Sequence, residues 1–205
     1  MIRPIRAIAL EARFDATPAQ VWHALTDAQA LANWFAPQAK ADQHERGIVE
    51  VAWGADTWPS TLGGWKYFLW NLGLCVTRHL GTPRVMVSSR RRSPVPRSAL
   101  WDSFFSSALI ATPANDSNEC TLTLGDTAYG GVVQTSEAPF RFAARFPSLA
   151  DALLFIELEG AKPANFNVGF WLSTYGVDAT TVSELQRSLD EAVARLVEPG
   201  VAATL

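Results

Sequence analysis

Glu157 and Glu159 are spaced to share one face of a strand, and no other residues of this 205-residue chain are better arranged for acid–base chemistry. On the concave side of a sheet, carboxylates of this kind act as a general acid or anchor a ligand. The alternative pairs them with Arg141 and Arg145, which the same two-residue period places together on one face of a neighbouring segment. We take the second reading: cross-strand ion pairs, with no catalytic residue assigned. The three histidines, His23, His44 and His79, are scattered, and the two cysteines, Cys75 and Cys120, stand in unrelated contexts. No metal site and no cofactor is therefore expected. Arg90, Arg91 and Arg92, with Arg84 and Arg97 nearby, make the main basic cluster. It lacks interleaved aromatics and reads as a solvated loop rather than a nucleic-acid surface. The sequence carries no G-x-S-x-G, nucleotide-binding glycine loop or metal motif, which argues against hydrolases and NTPases of those types.

The aromatic residues carry the stronger signal. Eight tryptophans and eleven phenylalanines are spread over segments that read as strands and helices. Core packing accounts for most of them, and an apolar cavity lined by a few is the functional alternative. Trp101, Phe142, Trp171 and Tyr175 are the candidate wall residues for a small hydrophobic ligand, each on an element expected to line one interior.

The elements that must position them follow from periodicity. Thr17, Pro18 and Gln20 spell a helix start, a capping box with proline at the first turn. Val21, Trp22 and Leu25 follow on one face, and Thr26 or Asp27 caps a second short helix bearing Leu31, Trp34 and Phe35. Residues 8–14 and 48–53 alternate as strands. Trp65, Phe68, Leu69, Leu72 and Val76 form one helical stripe, stopped by Gly81 and Pro83. Strands are then predicted over 84–89, 121–124, 131–135, 140–146, 153–159 and 166–174, with a helix over 98–110 and a loop at 112–118. The last helix is predicted over 179–197, capped by Asp178, Thr180 or Thr181. Its inner stripe is Val182, Leu185, Leu189, Val193 and Leu196, and Glu191 and Arg195 form an i,i+4 pair.

A 48% hydrophobic content marks a folded chain with a real core, and a net charge of −3 gives no general attraction to nucleic acid. No apolar run reaches the roughly 20 residues that span a bilayer, and no secretory leader is evident, so a cytoplasmic setting is expected.

The wording P-x-x-V-W-x-A-L-T-D followed by L-x-x-W-F-A-P, over residues 18–37, resembles the activator of heat-shock protein 90 ATPase homologue family. That family lies within the START-like (SRPBCC, helix-grip) superfamily. The stretch from Ala152 through Gly176 resembles the C-terminal module of tandem bacterial members. The resemblance implies an α+β fold, an antiparallel sheet gripped by a long C-terminal helix, in two modules, 1–82 and 83–205. Only about ten residues separate Trp53-Gly54 from Gly63-Gly64, so the first module lacks its central strands and its sheet must be completed from residues 119–174 or from a second chain. Non-enzymatic binding of a small hydrophobic ligand or a protein partner is the function expected. A heat-shock ATPase co-chaperone or stress-response role, and a START-like cyclase or hydrolase, are the alternatives. The resemblance also admits a chaperone partner and a homodimer.

Overall fold

The structure, a computed structural model, describes residues 10–35, 58–106, 109–112, 117–160 and 162–198. These fall into two compact units, Met1–Gly81 and Thr82–Leu205.

In the first unit the chemistry of the Thr17 cap is realised. Its hydroxyl accepts from the Gln20 N–H, and the Gln20 side chain reaches back to the Thr17 backbone, starting α1 (Pro18–Thr26). Asp27, not Thr26, caps α2 (Ala28–Ala32) by accepting from the Ala30 N–H at 2.8 Å. Helix α3 runs Trp58–Arg78. Leu31, Trp34 and Phe35 bury against Leu72, Cys75 and Val76 of α3, with Trp65, Phe68 and Leu69 packed at the edge. The Trp34 indole N–H donates to the Ala24 carbonyl at 2.9 Å, satisfying the one polar atom that this ring buries. Two expectations fail here. Of the face read as Val21, Trp22 and Leu25, only Val21 packs on the core, with Trp22 69% and Leu25 39% exposed. Residues 10–14 run irregularly rather than as a strand. The expected strand at 48–53, with its Trp53, and His44 lie outside the described residues.

The second unit contains the sheet. Its strands are β1 (Arg84–Ser93), β2 (Ile110–Ala111), β3 (Glu119–Leu124), β4 (Thr127–Glu137), β5 (Arg141–Phe146), β6 (Ala152–Leu158) and β7 (Phe166–Tyr175). All pair antiparallel, in the order β1-β7-β6-β5-β4-β3-β2. Helix α4 (Arg97–Ser106) follows β1, and α5 (Ala179–Val197) closes the unit. One sheet face carries Val87, Cys120, Leu122, Phe142, Ala144, Phe146, Leu154, Ile156, Phe170 and Leu172. Leu100, Trp101 and Phe104 of α4 and Leu185, Leu189, Ala192 and Val193 of α5 pack against it. Each large side chain buried there contributes about 1.5–3 kcal/mol.

Several boundaries moved. The 98–110 helix ends at Ser106, and Ile110 belongs to β2, pairing with Leu122. The arginine triplet is strand, not loop, because β1 runs on to Ser93 opposite Phe166. Among the described residues, all seven strands come from residues 84–175. On α5 the i,i+4 pair formed is Arg187 with Glu191 at 3.3 Å, not Glu191 with Arg195.

Strand β1 is a sheet edge, and its backbone is partly covered from within. Gln186 of α5 accepts from the Ser88 N–H at 3.1 Å and donates to the Ser88 carbonyl at 2.9 Å. A side-chain amide thus takes the place of another strand, which protects the edge against pairing with other chains.

Candidate functional site

A bulge in β4 borders a cleft open to a small molecule. Val133 pairs with Ala144, but the next pairing is Thr135 with Ala143, so β4 carries one extra residue there. In a regular strand Val133 and Ser136, three residues apart, would point to opposite faces. With the extra residue, both stand on the side of the sheet that Phe142 faces. Phe105, at the end of α4, meets the Phe142 ring edge-on at 5.8 Å. The chain between β2 and β3 adds Thr112, Ser117 and Asn118, and the Asn118 carbonyl accepts from the Val133 N–H at 2.6 Å, tying that segment to the bulge. The result is an open cleft of about 370 Å³ lined by Phe105, Thr112, Ser117, Asn118, Val133, Ser136 and Phe142.

Its chemistry is uneven in a useful way. Phe142 is fully buried, and Phe105 and Val133 are half-buried, so the floor is apolar. Thr112, Asn118 and Ser136 are exposed and make a polar rim. The Ser117 hydroxyl oxygen is itself buried and has no hydrogen-bond partner among the described residues. Among the described residues, none that lines the cleft is ionisable.

Of the four residues expected to form a cavity wall, Phe142 lines the cleft. Trp101 sits behind it, its ring 5.6 Å from that of Phe105 and buried in the same core. Trp171 and Tyr175 belong elsewhere. They alternate with Phe170 and Leu172 and so fall on the opposite sheet face, where Trp171 packs against Phe155 at 5.8 Å. Trp171 also lies over Gly169; a Cβ there would sit 2.0 Å from the indole, so any other residue at this strand position would force the indole to move. The cleft residues missed from sequence, Ser117 and Ser136 above all, depend on the β4 bulge and on a loop whose course no periodicity encodes.

The carboxylates are engaged outside the cleft. Glu157, 5% exposed, accepts from Arg141 at 3.1 Å, and Arg141 also donates to Glu137 at 3.0 Å. Glu159 pairs with Arg90 of β1 rather than with Arg145, which meets Asp151 instead. The cross-strand reading therefore holds for Glu157 and Arg141 and takes a different partner for Glu159 and for Arg145.

Arg97 is the buried cation that sequence reading passed over. At 5% exposure it donates to the carbonyls of Leu158, Glu159, Gly160 and Lys162, and its guanidinium lies 4.3 Å from the centre of the Phe166 ring and 5.1 Å from that of Phe140. Burial draws its pKa below the usual arginine value, with the charge of Glu157 opposing the shift. It closes the β6–β7 turn. His23 is exposed, and among the described residues no group of His, Cys, Asp and Glu could hold a metal ion. Cys75 and Cys120 are buried free thiols, and burial pushes both upward, Cys120 to about 11.

No protein-family model and no curated protein sequence matches the chain. Among solved structures it is similar to DynU16, a protein of the dynemicin biosynthetic locus, at 19% identity and a TM-score of 0.45. That match covers 55% of this chain and 45% of DynU16, so the chain spans less than half of that protein. It is also similar to the Aha1 dimer of Colwellia psychrerythraea, at 10% identity and a TM-score of 0.43 over 57% of this chain and 98% of that one. An AHSA1-like protein of Aeromonas hydrophila follows at 13% identity and a TM-score of 0.42, over 59% and 97% of the respective chains. The strand order and the two helices packed on one sheet face define the architecture in their own right. The described residues of 82–205 form an α+β fold, one antiparallel sheet with α4 and α5 packed on one face. Among the described residues no helix is long and apolar enough to cross a membrane.

Proposed function

We propose that the helix-grip unit is a binding module for a small apolar molecule, held in the cleft between Phe105, Phe142 and the β4 bulge, and that it carries out no reaction on it. The observation that carries this reading is the aromatic floor of Phe105 and Phe142 beneath a polar rim, in a cleft of about 370 Å³. That volume falls within the range of small-molecule sites. Binding rather than catalysis is supported by the positions of the carboxylates, since Glu157 and Glu159 are spent on Arg141 and Arg90. The first unit is read as a trimmed module of the same kind, on the order of its capped helix pair and long helix.

Native mass spectrometry of the chain purified without denaturation tests the reading, compared with Ser136→Phe. Ser136 is exposed at the rim, so the larger ring narrows the mouth while leaving the core intact. A retained compound of a few hundred daltons in the parent, lost from the variant, supports the module. Equal retention by both places the ligand elsewhere.

A further inference from the structure

Strand β1 forms one edge of the sheet, and among the described residues its strand neighbour is β7 alone. Backbone groups along an antiparallel edge alternate, one residue bonding inward and the next pointing out. Because the Ser88 N–H and carbonyl are the groups that meet Gln186, the outward set is Arg84, Met86, Ser88, Arg90 and Arg92. Gln186 occupies the edge at Ser88, its amide aimed by a 2.8 Å bond to Asp190. To either side the strand is accessible: Val85 is 41% and Met86 46% exposed, and Arg90 and Arg92 are exposed. We propose that this edge accepts an extended acidic peptide segment, which pairs with β1 as a further strand and displaces the Gln186 amide from Ser88. Main-chain bonds supply the affinity of such an added strand, and side chains its selectivity.

Charge selects the occupant. Strand β1 carries four arginines and no acid. Arg84, Arg90 and Arg92 share one of its faces. Arg90 is held by Glu159, and Arg91, on the other face, stands 3.8 Å from Glu198. Among the described residues Arg92 meets no carboxylate. A glutamate set opposite it gains a cross-strand ion pair. A second copy of this chain fits poorly, since antiparallel pairing of two β1 strands centred on Ser88 sets Arg84 against Arg92, like charge opposite like.

The probe is the peptide Glu-Thr-Glu-Val-Thr-Val-Ile-Thr, blocked at both ends, fluorescently labelled and titrated into the full chain by anisotropy. Paired antiparallel, its glutamates fall opposite Arg92 and Arg90 and its isoleucine opposite Met86. Gln186→Ala frees the Ser88 groups and should bind the peptide about tenfold more tightly than the parent chain, a gain that loss of folding cannot produce. Arg92→Glu, a change at an exposed side chain, should weaken binding about fivefold, as should glutamine in place of both glutamates. N-methylation of the third, fifth and seventh peptide residues removes donors that face β1 and should abolish binding, whereas methylation of the fourth and sixth, which face away, should not. The proposal is overturned if the first methylated peptide binds as well as the unmodified one, if Gln186→Ala brings no gain, or if the glutamine analogue binds equally. It is overturned too if Gln186→Ala binds no peptide, or if that variant dimerises in ultracentrifugation, since the occupant of the edge is then a second copy.

Discussion

The two units start from similar materials and arrive at different kinds of core. Each has a helix opened by a side-chain cap, at Thr17 in the first and Asp178 in the second, and each packs aromatic rings against a long helix. In the second unit an unbroken antiparallel sheet gathers 26 buried side chains into one cluster; in the first, among the described residues, seven bury together around Trp34 and Phe35. Helices alone bury a stripe each, whereas a sheet presents a broad face to every helix laid on it. The difference teaches where a site can be built. A cleft needs walls that hold their places, and the bulge that shapes this one exists only because β4 is pinned between β3 and β5.

The largest expected contrast is in local opening. Each unit carries one buried thiol, Cys75 in the first and Cys120 in the second. In single-thiol variants, Cys120→Ala and Cys75→Ala, labelling by a disulfide reagent below the urea midpoint should reach Cys75 about a hundredfold faster than Cys120. That ratio corresponds to about 3 kcal/mol in opening free energy. Equal rates would show that the two units open as one and would break the comparison.

Next comes Arg97. Replacing it with methionine keeps much of the packing against Phe140 and Phe166 but leaves the carbonyls of Leu158, Gly160 and Lys162 without their donor. A loss of about 3 kcal/mol or more is expected, read as a lower urea midpoint with an unchanged slope. A loss below about 1 kcal/mol would mean that the β6–β7 turn holds without it.

How far these features were legible depends on the range of the forces that set them. Helix α5 was readable end to end, because the stripe from Val182 to Val193 repeats at helical spacing and Asp178 sits where a cap belongs. The α1 capping box was equally plain, since it is chemistry among neighbours. Phe142 facing the helices and Arg141 facing away follow from the two-residue period of β5. The same period sets Trp171 opposite Phe170, but which of those faces meets α5 is a tertiary choice that the period leaves open. The arginine triplet looked like loop because strand propensity is poor there. Pairing with β7 and the bond from Arg90 to Glu159 override it. Arg97 looked like one more surface cation; only the folded β6–β7 turn supplies the carbonyls that bury it. Ser117 and Ser136 gave no signal at all, because their convergence depends on one extra residue in β4.

A smaller effect is expected at the ring that anchors the first unit. Trp34→Phe retains an aromatic side chain beside Phe35 but removes the indole donor to the Ala24 carbonyl, a 2.9 Å bond in a buried place. The cost should be about 1–3 kcal/mol, that of a buried acceptor left unsatisfied. It should appear in the Cys75 labelling rate and leave the Cys120 rate as it was. A matching change at both thiols would tie the two cores into one cooperative unit and weaken the distinction drawn above.

The smallest effect concerns the cap of α5 and depends on pH. The Asp178 carboxyl accepts from the Thr181 hydroxyl at 2.7 Å and from the Thr181 N–H at 3.0 Å, and these bonds, the hydroxyl first, hold its pKa below the ordinary aspartate value of 3.8. The sign follows from linkage. A carboxyl whose folded pKa is depressed adds stability that is fully present above its unfolded pKa and is lost as the pH falls through the folded one. Asp178→Asn keeps a capping oxygen but removes the titration. Urea midpoints measured from pH 5 down to pH 2 should therefore fall more steeply for the parent than for Asp178→Asn, and the two curves should converge at the acid end. The group is fully exposed, so the divergence at neutral pH should be small and should shrink further in high salt. Parallel curves across the whole range would show that the cap acts through hydrogen-bond geometry alone, with no contribution from the charge.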